Sequence, residues 1–155
     1  MLRSSKFLIR IPDFDDICIK LKYIKMSYHI SKTLKNTDFN QAIEKTTATL
    51  KEEGFGVLTE IDIKDTLKKK IDADFKNYKI LGACNPQLAH QALQSEDKIG
   101  LMLPCNVIVE KHENGDVEVS AVDPIASMQA IDNDSLGSIA SQVQQKLKTV
   151  IEKLN

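Results

Sequence analysis

The sequence predicts an α+β domain: a two-layer sandwich, mostly antiparallel sheet with helices on one face, in the order β-α-β-α-β-α-β-β-α. Three observations carry this. Short segments that alternate apolar and polar residues recur along the chain and mark half-buried strands. Between them lie segments whose apolar residues repeat at helical spacing. Each long helix has a single apolar stripe, enough to cover one face of one sheet.

The elements follow in order. Tyr28, Ile30, Lys32 and Leu34 alternate with polar residues, which predicts a strand over residues 27–34. Asp38 is a helix N-cap with Gln41 in capping-box position, and Phe39, Ala42, Ile43, Thr46 and Leu50 form the stripe. Gly54 stands where a left-handed residue ends that helix. A second strand covers residues 55–63, with Phe55, Val57, Thr59, Ile61 and Ile63 on one face and Leu58, Glu60 and Asp62 on the other. Asp62 caps a short helix over residues 64–70, and Lys68, Lys69 and Lys70 suit its negative end without any ligand. The third strand spans residues 78–84. Asn85 at N-cap and Pro86 at the first helical position then open a helix to about Gln94.

The longest predicted strand covers residues 99–111, with Ile99, Leu101, Leu103, Cys105, Val107 and Val109 on one face. Pro104 cannot donate to a ladder, so an edge or bulge is expected there. Its hairpin partner covers residues 116–122. A two-residue Asn114-Gly115 loop would set the apolar faces out of phase. A three-residue Glu113-Asn114-Gly115 loop sets Val109 opposite Val119 and Val107 opposite Ala121. The same register sets Cys105 opposite Asp123. Last comes a helix capped by Ser135, with Leu136, Ile139, Ala140, Val143, Leu147, Val150, Ile151 and Leu154 in one stripe. The second sheet face keeps Leu58, Met102 and Ile108 bare, which predicts a homodimer.

Composition narrows the function classes. The chain has 155 residues, 42% of them hydrophobic, and a formal charge of −1. That suits one domain with one core, and argues against a nucleic-acid binder built on a positive field. No apolar run approaches membrane-spanning length. Three cysteines leave at least one unpaired, so a reducing, cytoplasmic compartment is expected. Residues 1–25 carry six basic and three acidic residues, against 15 and 19 in the remainder. This shift, with Met26 at the junction, predicts that residues 1–25 are an N-terminal extension and residues 26–155 the domain. The alternative is an extra terminal strand or helix. Cys18 falls in that segment and is given no role.

Four stretches carry a family resemblance: EGFGVLTEI at residues 53–61, KILGACNP at 79–86, IGLMLPCNV at 99–107 and AVDP at 121–124. They resemble the bacterial and archaeal family called domain of unknown function 302, from about Tyr28 to the C-terminus. The two Cys-Asn motifs are the most specific part. The resemblance implies a compact α+β domain, often self-associating, and implies no activity.

The candidate site comes from the residues themselves. Cys84 sits just before a helix start, whose free N–H groups and dipole favour a thiolate. If the strands of Cys84 and Cys105 are neighbours, both thiols and Asp123 converge at the head of the Pro86 helix. Asn85 would fix the loop, and Asn106 follows the second thiol. Cys84, Asn85, Cys105, Asn106 and Asp123 would then hold a small anion or a soft metal, or form a reversible disulfide. The competing reading makes both cysteines ordinary core residues and Asn85 only a cap, leaving a non-catalytic, dimeric interaction module. A cysteine separation of this length is no zinc signature, and the cofactor, if any, stays unassigned. His90 falls on the polar face of its helix, and His29 and His112 read as surface residues. Glu60 and Asp62 could pair, but Asp62 is explained by capping. Met128 reads as gap filler rather than a thioether ligand. A hydrolase or transferase using Glu60 would lack a nucleophile.

Overall fold

A computed structural model describes residues 27–155. The expected extension at residues 1–25, with Cys18, lies outside the described residues. Among the described residues, five strands form one sheet in the order β1-β5-β4-β3-β2, every neighbouring pair antiparallel. They are β1 (His29–Leu34), β2 (Gly56–Asp62), β3 (Tyr78–Cys84), β4 (Cys105–Lys111) and β5 (Val117–Val122). The helices are α1 (Phe39–Glu52), α2 (Ile63–Ile71), α3 (Pro86–Ser95), α4 (Pro124–Ser127) and α5 (Ser135–Lys153). The sandwich is two-layered as expected, with α1 and α5 packed on β1, β4 and β5.

Local chemistry explains most boundaries. Asp38 accepts from the N–H groups of Asn40 and Gln41, Asp62 from Asp65, and Asn85 from Leu88. Gly54 has φ of 84°, its N–H bonds the Lys51 carbonyl and the Phe55 N–H bonds Leu50, the glycine-terminated ending that the sequence predicts for α1. The lysines at the end of α2 find local partners as well: Lys68 lies 2.8 Å from Asp72 and 3.1 Å from Asp74. The core joins Leu81, Ala83, Val107, Val109, Val117, Val119 and Ala121 of the sheet to Ala42, Leu50, Leu147 and Val150 of the helices.

The β4–β5 register is the one given by the three-residue loop: Val109 faces Val119 and Val107 faces Ala121. Gly115 takes a φ of 90° in the turn.

Four expectations need correction. The strand predicted over residues 99–111 begins only at Cys105. Residues Asp97–Met102 form a 3-10 turn instead, which buries Ile99 and leaves Leu101 83% exposed. Pro104 has no N–H to give a ladder and stands just before the first strand residue. In β2 the simple alternation breaks. Val57 pairs with Ala83 but Thr59 pairs with Gly82, so Leu58 is the extra residue of a bulge. Phe55 and Val57 therefore face the core, while Thr59 and Ile61 face the other way. The bare face consequently differs from the predicted one: Met102 belongs to the turn, and Ile61 and Ile80 join Ile108. Finally, Ser135 is the first helical residue of α5 and not its cap: Asp134 holds the cap position without a side-chain bond, while Asn133 Oδ1 accepts from the Ser135 N–H at 3.1 Å and from its hydroxyl at 2.5 Å. The short helix α4 had no counterpart in the predicted order.

Candidate functional site

The two Cys-Asn motifs lie on neighbouring strands, because β3 pairs with β4 and Ala83 stands opposite Cys105. Cys84 is the last residue of β3 and Asn85 the N-cap of α3, so the chain turns there from sheet to helix. Cys84, Asn85 and Cys105 line one small cavity with Phe55, Leu88 and Leu103. Its volume is about 30 Å³, and carbon and sulfur make up nearly all of its wall. A cavity of that size takes about two waters at most. Both thiols are free; Cys84 is half-buried and Cys105 buried.

Electrostatics run against an activated thiolate. The helix start was expected to draw the Cys84 thiol down, but desolvation pushes it up. Cys105 is pushed up to about 11, first by burial and then by the nearby Cys84. A thiol titrating there stays protonated at neutral pH and is a poor nucleophile.

The other two residues of the expected site have different neighbours. Asp123 caps α4: its Oδ1 accepts from the Ile125 N–H at 2.9 Å and the Ala126 N–H at 3.4 Å. The Gln144 amide then donates to both carboxylate oxygens, at 2.9 and 2.8 Å. Asp123 is thus fully engaged by the fold and lies outside the lining of the thiol cavity. Asn106 is exposed. It shares a shallow pocket of about 240 Å³ with Cys105, Pro104 and Met128, and also lines the open face of the sheet. As the next residue of β4 after Cys105, it points to the opposite side of the sheet.

That open face is the larger concave feature. Registers carry one row across all five strands: Ser31, Ser120, Ile108, Ile80 and Ile61. Beside it runs a groove of about 410 Å³ lined by Tyr28, His29, Tyr78, Asn106, Ile108 and Val122, among others. Gly82 lies on the same face, where Thr59 and Pro104 close over it; a Cβ there would meet Pro104 Cγ at 2.8 Å and collide with the Thr59 hydroxyl. The sequence reading missed Ile61, Ile80 and Tyr78 as surface residues of this face. The signal was present for Tyr78 and Ile80, since they alternate with the core residues of β3. For Ile61 the bulge hid it.

The match to known families settles on the same region of chain. The sequence profile described as "Domain of unknown function DUF302" matches residues 30–154. The chain belongs to this DUF302 family. Its fold is similar to the crystal structure of an uncharacterised conserved DUF302 protein from Bacillus stearothermophilus, with a TM-score of 0.76 and 29% identity, covering 83% of this chain and 98% of the other. No curated protein matches the chain. Among the described residues, no helix is long and apolar enough to cross a membrane.

Proposed function

We propose that this DUF302 chain is a non-catalytic interaction module that pairs with a second copy of itself through the open face of its sheet, its cysteines serving as packing. One observation carries this: among the described residues, helices cover a single face of the sheet, and the other face is isoleucine-rich on β4, β3 and β2, with Ile61 45% exposed. A solvated antiparallel face is ordinarily polar, and a contiguous apolar surface marks an association site. A two-fold pairing brings the same row of residues together from both sides. The upward shift of both thiols by burial, and the bonds that hold the Asp123 carboxylate elsewhere, support the structural role of the cysteines. The free thiols fit a reducing, cytoplasmic setting.

Sedimentation equilibrium of the full chain tests the reading. A dimer is expected, and Ile108→Lys is expected to shift it to monomer while leaving the melting temperature of the monomer nearly unchanged. A chain that stays monomeric at every concentration, or a variant that still dimerises with the same constant, overturns it.

A second reading keeps the thiol site, favoured by the shared cavity of Cys84, Asn85 and Cys105. A soft metal suits it better than an anion, given the apolar wall. Elemental analysis of anaerobically purified protein, compared with a Cys84→Ser/Cys105→Ser variant, decides it: metal lost in the variant supports the site, and metal absent from both excludes it.

A further inference from the structure

At the hairpin end of the open face, three side chains from two strands and their turn converge. Glu110 and Glu118 stand directly opposite each other in the β4–β5 ladder. His112, two residues beyond Glu110, brings its Nε2 to 3.2 Å from Glu118 Oε2. One oxygen of each carboxylate and one ring nitrogen all lie within 4.8 Å of one another. We propose that Glu110, His112 and Glu118 form a binding site for a divalent transition-metal ion of the Zn²⁺ class.

The chemistry fits the donor set. Imidazole nitrogen and carboxylate oxygen both ligate zinc, with metal–ligand distances of about 2.0–2.2 Å. Ligand atoms on a tetrahedral ion at those distances are about 3.4 Å apart, so small side-chain rotations close the present triangle. Mg²⁺ and Ca²⁺ prefer six or more oxygen ligands and gain little from a histidine. The local charge also asks for a cation. Like charges directly opposite in an antiparallel pair are destabilising, and these carboxylates are mostly buried, with Glu110 15% and Glu118 24% exposed. The groups facing them are few. Lys76 pairs with Glu110, the Ser120 hydroxyl donates to Glu118 Oε1 at 3.1 Å, and Tyr78 and Thr33 continue the same row. Lys76 therefore offsets one negative charge of two. It is also the competitor an incoming ion must displace from Glu110. The Ser120 bond fixes the far oxygen of Glu118 and leaves Oε2 turned toward His112, the second-layer support that metal-binding carboxylates use.

The inference is separate from self-association, because its readout is ions bound per chain in either state. Zn²⁺ is titrated into the full chain by calorimetry, and Co²⁺ binding is followed by absorption. One ion per chain is expected, with a weak visible Co²⁺ band and no sulfur charge-transfer band. Loss of a direct ligand in His112→Ala or Glu118→Gln is expected to weaken Zn²⁺ binding by at least about tenfold, since even second-layer changes cost that much. Lys76→Ala, which removes the competitor, is expected to tighten it. The imidazole proton resonances of His112 in the unsubstituted chain should shift with Zn²⁺, which needs no variant to fold. No binding by the full chain, unchanged affinity in the His112 and Glu118 variants, or an intense charge-transfer band from a thiolate each overturns the assignment and leaves the trio as a plain ion pair at a hairpin.

Discussion

Leu81 and Ile80 are neighbours in β3 and have opposite surroundings. Leu81 lies in the sealed layer between sheet and helices, fully buried. Ile80 looks out on the open face, opposite Ile61 and Ile108 in the ladder. The same division separates Cys105 from Asn106. The lesson is geometric: within a strand, consecutive residues serve different sides, so Cys105 and Asn106 meet only at the shallow pocket where β4 begins. Cys84 and Asn85 escape the rule because the strand ends between them, and both reach one cavity.

Substitutions measure that contrast directly. Leu81→Ala is expected to cost about 2–5 kcal/mol of folding stability by denaturant unfolding, the range for a fully buried leucine. Ile80→Ala should cost the monomer far less and act mainly on the association constant. Comparable losses at the two positions would mean that the bare face is as well packed as the covered one.

Cys105 gives a pH-dependent version. Its folded-state pKa is raised to about 11 against an ordinary value of 9.0. Its contribution is therefore whole below pH 9 and is lost as pH rises through 11, because only the unfolded chain ionises easily in that window. The loss is about 2–3 kcal/mol. Subtracting the stability profile of Cys105→Ala from that of the unsubstituted chain isolates it. A flat difference between pH 9 and 11 would place the thiol in contact with water.

The two asparagines give the smallest effect. Asn85→Ala removes the cap of α3 and should cost about 1 kcal/mol. Asn106→Ala, at an exposed position of the open face, should stay within about 0.5 kcal/mol. Equal costs would show that the two Cys-Asn motifs are structurally equivalent after all.

Where local rules act alone, the sequence was easy to read. Asp38, Asp62, Asn85 and Gly54 all take the capping positions expected of them, since a cap depends on the next few residues only. The stripe of α5 was legible for the same reason, and the β4–β5 register followed from matching two apolar faces. Reading failed where a choice depended on distant neighbours. Residues 99–103 alternate as a strand would, yet the chain turns there to drop Ile99 into the core. The bulge at Leu58 is invisible to a period of two, and it moved Thr59 and Ile61 to the other side. The candidate site was legible as a pair of thiols on adjacent strands. For Asp123 the local signal was the Asp-Pro pair that opens α4, whereas its bonds from Gln144 on the far helix could not be read. The trio of Glu110, His112 and Glu118 was within reach, since the chosen loop already set Glu110 opposite Glu118.

The bulge at Leu58 has one more effect. It sits on β2, an outermost strand, whose unpaired N–H and C=O groups would otherwise offer a straight template to any extended chain. Breaking the spacing of those groups spoils the fit. A single inserted residue thus blunts one border of the sheet against unintended strand pairing.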